Sequence, residues 1–502
     1  TKQQQQVIEL QNRNLLVSAA AGSGKTAVLV ERIIQKILDS KHQIDIDRLL
    51  IVTFTNAAAA EMRERIAIAI EKALEKQPEN THLQRQQTLL HNAQITTIHS
   101  FCLYVIRNFF HRIDLDPDFR VAEEGELKLL KSDVLDKVLE KYYEEAKPEF
   151  IILSETIATG KNDTPLKDTI LKLFEFAMSY PWVEDWLEDC KKPYHIDTME
   201  EFEALPLAKE LLVYLKNITS QWALQIKICC DISTEPDGPQ MYTELLRKEV
   251  EAMRALSESN SYQQFYSKMR GFSFGRLAAA RKFTGDVGKK ERVKKLRNEV
   301  KSSMKKVTEQ FFFQSPEQMI VDMKKNRIVA DILIEVTLAF LQAFEEKKRE
   351  KNIVDFNDLE HFALKILVDS QTHQPTKTAA EIRKNYREIM IDEYQDSNYV
   401  QEAILKAVSK ESEGICNIFM VGDVKQSIYR FRMARPELFM EKYNTYSQEE
   451  SNRQRIDLHM NFRSRPQVLN FVNDIFYRIM RQDIGDITYD SQAALYAGAS
   501  FP

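Results

Sequence analysis

Four short apolar runs stand out along the chain, and each ends in a polar turn. Leu15-Leu16-Val17 leads into a glycine-containing loop, and Leu49-Leu50-Ile51-Val52 leads into Thr-Phe-Thr-Asn. Ile389-Met390-Ile391 leads into Asp-Glu-Tyr-Gln-Asp, and Ile418-Phe419-Met420-Val421 into Gly-Asp-Val-Lys-Gln. Uninterrupted apolar runs of this length predict parallel strands buried on both faces. Segments of helical period separate them, Ala57 to Leu74 among them. Alternating strand and helix predicts an α/β fold with a parallel sheet, and ligands at the carboxyl ends of its strands.

From about residue 121 to 350 the alternation gives way to charged helical segments. Ser315-Pro316-Glu317-Gln318 is a helix start, with Ser as cap and Pro in the first turn, and this helix is expected to run to about Glu350. Another helix carries Val293, Leu296, Val300 and Val307 on one stripe. The expected organisation is a first α/β domain in two parts, 1–120 and 351–450, around a helical insertion at 121–350. A further strand, Arg455 to His459, runs into Asn-Phe-Arg-Ser-Arg-Pro and a helix. It is expected to open a second α/β domain at 451–502.

Composition narrows the classes. Gly (13) and Pro (14) are scarce in 502 residues, which favours long helices over loop-rich β architectures. The longest apolar stretch, Ile328 to Phe344, contains Asp331 and Glu335, so no membrane span is expected. Five scattered cysteines without a CxxC pair support neither a zinc site nor a disulfide frame, and fit a reducing cytoplasm. The net charge of −5 is uneven: Lys268–Lys306 holds fourteen Lys/Arg against three Asp/Glu. That contrast predicts a polyanion partner, here duplex DNA phosphates.

The first strand runs into Ala19-Ala20-Ala21-Gly22-Ser23-Gly24-Lys25-Thr26, and a helix follows. Strand, loop and helix in this order build a phosphate cradle of backbone N–H groups at a helix N-terminus. Lys25 is expected to reach the β/γ-phosphates of ATP, and the Thr26 hydroxyl to ligate Mg²⁺. Asp392 is placed to hold the metal, and Glu393 to orient and deprotonate the attacking water. Gln426 is expected to sense the γ-phosphate or its water. Aromatic and polar side chains point to single-stranded nucleic acid: Phe54, Thr55 and Asn56; His99 and Ser100; Tyr429 and Phe431 among arginines. The bland alternative is that Phe54, Phe101 and Phe431 are core residues.

These motifs, in this order, resemble the superfamily 1 helicases of the UvrD/RecB type. Within them the likeness is to the AddA (or RexA) type of helicase–nuclease chain. It rests on SAAAGSGKTAVLVERI, TFTNAAAAEMRERI, TIHSFC, DFNDLEHFAL, MIDEYQDSNYVQEAIL, FMVGDVKQSIYRFRMARPELF and NFRSRPQVLNFVN. The resemblance implies RecA-like domains and 3′→5′ movement on single-stranded DNA driven by ATP. It implies a helicase–nuclease of break repair and recombination in the bacterial cytoplasm, paired with an AddB/RexB-type partner. It assigns Gln4 to reading adenine, Phe462 to stacking on it, and Arg463 to the γ-phosphate from the second domain. Ala19, where a strict P-loop has Gly, is normal for these proteins. Later helicase motifs and a nuclease motif are not found, so the chain is expected to be an N-terminal portion with little activity alone. Two other readings are a repair helicase without nuclease and a DNA-binding ATPase that does not translocate.

Overall fold

The computed structural model describes residues 1–39, 43–158, 162–279, 283–482 and 487–500. Six strands form one parallel sheet: β1 (Asn14–Ala19), β2 (Leu49–Thr53), β3 (Gln94–Thr97), β4 (Glu388–Ile391), β5 (Ile418–Gly422) and β6 (Arg453–Leu458). Their spatial order is β3-β2-β4-β5-β1-β6. The apolar runs divide between two cores, as strand geometry requires. Leu16, Leu50, Ile389 and Met420 face one core with the helices Ile98–Phe109 and Phe356–Leu367. Leu15, Ile51, Met390 and Phe419 face the other, with Val28, Leu29 and Ile33 of helix α1 (Lys25–Leu38) and Met62 and Ile66 of helix α2 (Asn56–Lys76).

The strand expected to open a second domain instead closes the first sheet. β6 pairs in parallel with β1 from Asn14↔Arg453 to Ala19↔Leu458. The reason is its alternation: Gln454, Ile456 and Leu458 are buried, Ile456 and Leu458 against the β1 core. The edge strand β3 has no counterpart among the expected strands, because Gln-Ile-Thr-Thr offers a single apolar side chain to read.

A buried ion cluster fastens α1 to the sheet. Glu388 at the start of β4 accepts from Arg32 (2.7 Å) and from Lys36 (2.7 Å), and Arg32 also lies 4.8 Å from the centre of the Phe419 ring. Burial opposes charge on Glu388, but Arg32 and Lys36 together hold its carboxyl below the ordinary range.

The chain divides into two compact units, one of Thr1–Val138, Thr169–Trp186 and Ala339–Pro502, the other of Leu139–Asp168 and Leu187–Leu338. The first holds the sheet. The second is helical, with Leu215, Trp222, Ile226, Met253 and Phe265 in its core. The basic segment contributes the helix Val287–Phe311, with Val293, Val300 and Val307 buried and Leu296 partly so. Several of its cations are engaged: Arg297 is buried on Glu249, Lys289 pairs with Glu235 at 2.9 Å, and Lys294 pairs with Glu291 at 2.9 Å. Arg292, Lys295, Lys301 and Lys306 are exposed. Arg281 and Lys282 lie outside the described residues. Pro316–Glu350 is one long helix, with Gln318 N–H on the Ser315 hydroxyl at 3.2 Å. Among the described residues no helix is long and apolar enough to cross a membrane.

Candidate nucleotide-hydrolysis site and nucleic-acid face

The sheet order puts the carboxyl ends of β4, β5 and β1 side by side, and each carries one of the expected motifs. In the loop after β1, Gly22 and Gly24 take φ values of 70° and 83°, which glycine alone adopts without strain. Gly22 has a further constraint, since a Cβ there would lie 2.5 Å from the Asn461 amide nitrogen. Gly24 is the cap of α1, so Lys25 and Thr26 form its first turn, where backbone N–H groups lack helical partners. Ala19 ends the strand; Ala20 and Ser23 are buried, and Ala21 is half-buried.

The acids after β4 meet this loop. Lys25 Nζ donates to Glu393 Oε2 at 2.7 Å. Glu393 itself has φ of 50°, a left-handed turn that swings its side chain out of line with Asp392. Burial, then the Glu393 charge, pushes the Asp392 carboxyl up to about 6. Asp396 is raised to about 6 by the same two causes in the same order. A buried carboxylate held near neutrality is a site for a cation, and Thr26 offers a second oxygen. Hard oxygen donors of this kind, with phosphate and water completing the shell, suit Mg²⁺. Among the described residues no three His, Cys, Asp or Glu side chains group around a metal position.

Gln426 donates its amide to Asp423 Oδ2 at 2.7 Å. Gln395 connects that loop to the acids: its Nε2 donates to Glu393 Oε2 at 2.8 Å, and its Oε1 accepts from Asp423 N–H at 2.9 Å.

On the other flank a pocket of about 350 Å³ is bordered by Gln4, Ser23, His459, Phe462 and Tyr496. Gln4 Nε2 donates to the Ser23 carbonyl at 3.1 Å, and a Thr1 capping box sets its helix. The Phe462 ring lies over Gly498, where a Cβ would approach it to 2.6 Å. Arg463 does not arrive from an opposing domain, as the resemblance implies. Its segment is fastened to the P-loop instead: Phe462 N–H donates to Gly22 O at 2.9 Å, and Asn461 Nδ2 to Ala21 O at 2.7 Å. Because β6 lies beside β1, its end falls next to that loop. Asn461 Oδ1 accepts from the Arg463 N–H at 2.9 Å, and the Arg463 side chain is exposed.

The nucleic-acid candidates fall in two groups. Phe54 and Tyr429 stand 4.6 Å apart between ring centres, and Tyr429 and Phe431 5.8 Å. Arg432 covers both Tyr429 and Phe431, and Phe431 is 73% exposed, so it is not core. Thr55 caps α2, accepting from Ala58 N–H at 3.1 Å, and Asn56 is exposed in its first turn. In the second group His99 Nε2 lies 3.1 Å from Glu360 Oε1, with its ring edge on Phe356 at 5.3 Å. Burial opposes charge on Glu360, but His99, Gln401 and Asn398 hold its carboxyl below the ordinary range. Ser100 bonds the Thr97 hydroxyl at 3.0 Å. Phe101 is fully buried, the core residue of the bland alternative.

Four side chains gain significance only here. Gln395, Asn461 and Glu360 lie inside the shared motifs but have no chemistry that spacing exposes. Phe356 opens a helix as an aromatic that is 59% exposed, a position the sequence does not separate from core phenylalanine.

A parallel sheet carrying a P-loop, an Asp-Glu pair and an aromatic, basic rim on its carboxyl edge defines a RecA-like P-loop domain. The chain belongs to the UvrD/REP helicase N-terminal domain family, which matches residues 1–447. It is 50% identical over its whole length to the A-type chain of an ATP-dependent helicase/nuclease from Lachnoclostridium phytofermentans, of which it covers 37%. Proteins of the same description from Clostridium beijerinckii and Anoxybacillus flavithermus are 43% and 42% identical, with 41% and 42% of their lengths covered. The chain thus spans about two fifths of these curated relatives.

Proposed function

We propose that this chain is the ATP-hydrolysing part of a DNA motor, with the carboxyl edge of its sheet gripping single-stranded DNA. The observation that carries the reading is the Lys25–Glu393 contact of 2.7 Å, which joins the P-loop to a carboxylate of the adjacent acid motif. Nucleotide phosphates draw Lys25 away and leave Glu393 free to accept a proton. A water oxygen then attacks the γ-phosphorus, its proton passes to Glu393, and the bond to the β-phosphate oxygen breaks, releasing ADP and phosphate. Mg²⁺, when bound, neutralises phosphate charge, and Asp392 and Thr26 are the residues that would hold it. The pocket between Gln4 and Phe462 suits an adenine ring, with Phe462 as the stacking face. Gln426 and Arg463 are assigned to the γ-phosphate, and Phe54, Tyr429, Phe431, His99 and Phe356 to bases.

The relatives' description extends the proposal to a helicase–nuclease of DNA repair working with a second chain, and to 3′→5′ polarity. The domain reading is a RecA-like domain split around a helical insertion. The test is ATPase of the full-length protein with and without single-stranded DNA, and displacement of duplexes bearing 3′ or 5′ tails. DNA stimulation abolished by Lys25→Ala, with 3′-tailed duplexes preferred, is the expected result. DNA-independent turnover would instead favour an ATP-gated clamp.

A further inference from the structure

Between the proposed hydrolytic carboxylate and the proposed base-stacking loop lies one buried side chain, Gln395, only 1% exposed. Both ends of its amide are committed. Nε2 donates to Glu393 Oε2 at 2.8 Å and to Asp396 Oδ2 at 3.2 Å; Oε1 accepts from Asp423 N–H at 2.9 Å. Glu393 Oε2 is also the oxygen that Lys25 holds. On the far side, Asp423 organises the turn after β5. Its carboxylate accepts from Lys425 N–H at 3.1 Å, Lys425 Nζ at 2.9 Å and Gln426 Nε2 at 2.7 Å. Tight turns at Val424–Gln426 and Arg430–Arg432 then carry the chain to Tyr429 and Phe431. The amide is closely seated: at Gly422, just before Asp423, a Cβ would lie 2.3 Å from Gln395 Oε1.

We propose that Gln395 is a positioning residue that couples the state of Glu393 to the loop carrying Tyr429 and Phe431. The physical reason is that a planar amide moves as one body. When phosphate removes Lys25, Glu393 Oε2 keeps Gln395 as its donor, and any shift of that carboxylate is passed to Asp423 N–H through the other end. A base stacking on Tyr429 acts in reverse: it moves Asp423 and re-aims the donor on Glu393. Such a link is reciprocal, so nucleotide and DNA must alter each other's affinity by the same factor.

This inference rests on the motor reading, and the experiment separates the two. In the full-length protein, Gln395→Met keeps volume and removes both hydrogen bonds. Three quantities are compared with the parent: affinity for a fluorescent ATP analogue, DNA-stimulated turnover, and the change in single-stranded DNA affinity caused by a non-hydrolysable ATP analogue. Expected are nucleotide affinity within about threefold, because Lys25 and the loop remain, and loss of most of the mutual effect. A linkage of this kind is typically about 5–150-fold and should fall to near one. Gln395→Glu places a third carboxylate beside Glu393 and Asp396, and should move the acid limb of the turnover–pH profile upward, which a purely structural role would not do.

Retention of the nucleotide–DNA linkage within about twofold in Gln395→Met, with melting temperature unchanged, overturns the coupling while leaving the motor intact. A proportional loss of melting temperature, nucleotide affinity and stimulation in both variants, with no pH shift, makes Gln395 merely structural and also overturns it. Absence of DNA stimulation in the parent removes the motor reading, and the coupling falls with it.

Discussion

At the scale of single residues, the site holds two adjacent carboxylates with different surroundings, and they should respond differently to neutralisation. Glu393 is oriented by Lys25 and Gln395 and faces the loop, whereas Asp392 is buried. Glu393→Gln should bind ATP with Mg²⁺ yet turn it over at least about a hundredfold more slowly, as loss of a general base commonly does. Rapid-quench hydrolysis beside nucleotide titration reads both; lost binding with normal turnover per bound nucleotide would contradict the role. Asp392→Asn should abolish Mg²⁺-dependent turnover and stabilise the metal-free protein. The sign follows from its carboxyl, raised from 3.8 to about 6 chiefly by burial. A folded-state value above the unfolded one means stability declines as pH rises from about 4 to about 6. The variant lacks that loss, by about 2–3 kcal/mol at most. Melting curves at pH 4 to 8 should therefore show its advantage growing through this window and then levelling.

At the scale of elements, the strands with continuous apolar runs were legible, because burial on both faces leaves no polar alternation to confuse the reading. Helix α2 and the long helix after Ser315 were legible from period and cap. β3 and β6 were not: β3 shows one buried apolar side chain, and β6 finds its partner, β1, at the far end of the sequence. The basic helix Val287–Phe311 divides along its own surface. Its valines pack inward and part of its charge is met by Glu235, Glu249 and Glu291, so the total charge overstates what a polyanion would meet. Neutralising exposed Arg292, Lys295, Lys301 and Lys306 together should weaken duplex binding and reduce the salt slope by up to about 0.9 per lost phosphate contact. Fluorescence anisotropy across a salt series measures it, and an unchanged slope would return this face to simple solvation.

At the scale of the whole molecule, catalytic geometry depends on α1 sitting correctly on the sheet, since Lys25 begins that helix. Arg32 and Lys36 of the same helix bury their charges on Glu388. Glu388→Ala leaves two uncompensated buried cations and should cost about 3–5 kcal/mol, read as a lowered urea midpoint. Because the Glu388 carboxyl is held below its ordinary value, this stabilisation is present above that value and is lost as pH falls through the folded-state value. The difference between parent and variant should accordingly shrink in acid.

The phosphate loop, the Asp-Glu pair and the aromatic-basic rim were readable without a fold, because each needs particular residue types at short spacing. Local chemistry of that kind is written in consecutive residues. Which motifs become neighbours is not, since strand order is decided by how six buried strands pack. Only the tertiary structure set β5 between β4 and β1, so that Gln395 bridges Glu393 to Asp423. Only it brought β6 beside β1, so that Asn461 fastens Phe462 and Arg463 to the P-loop from 440 residues away. The physical reason is the same in both cases: a neutral amide has no signature in composition or period, and acquires a role only where folding commits both of its ends.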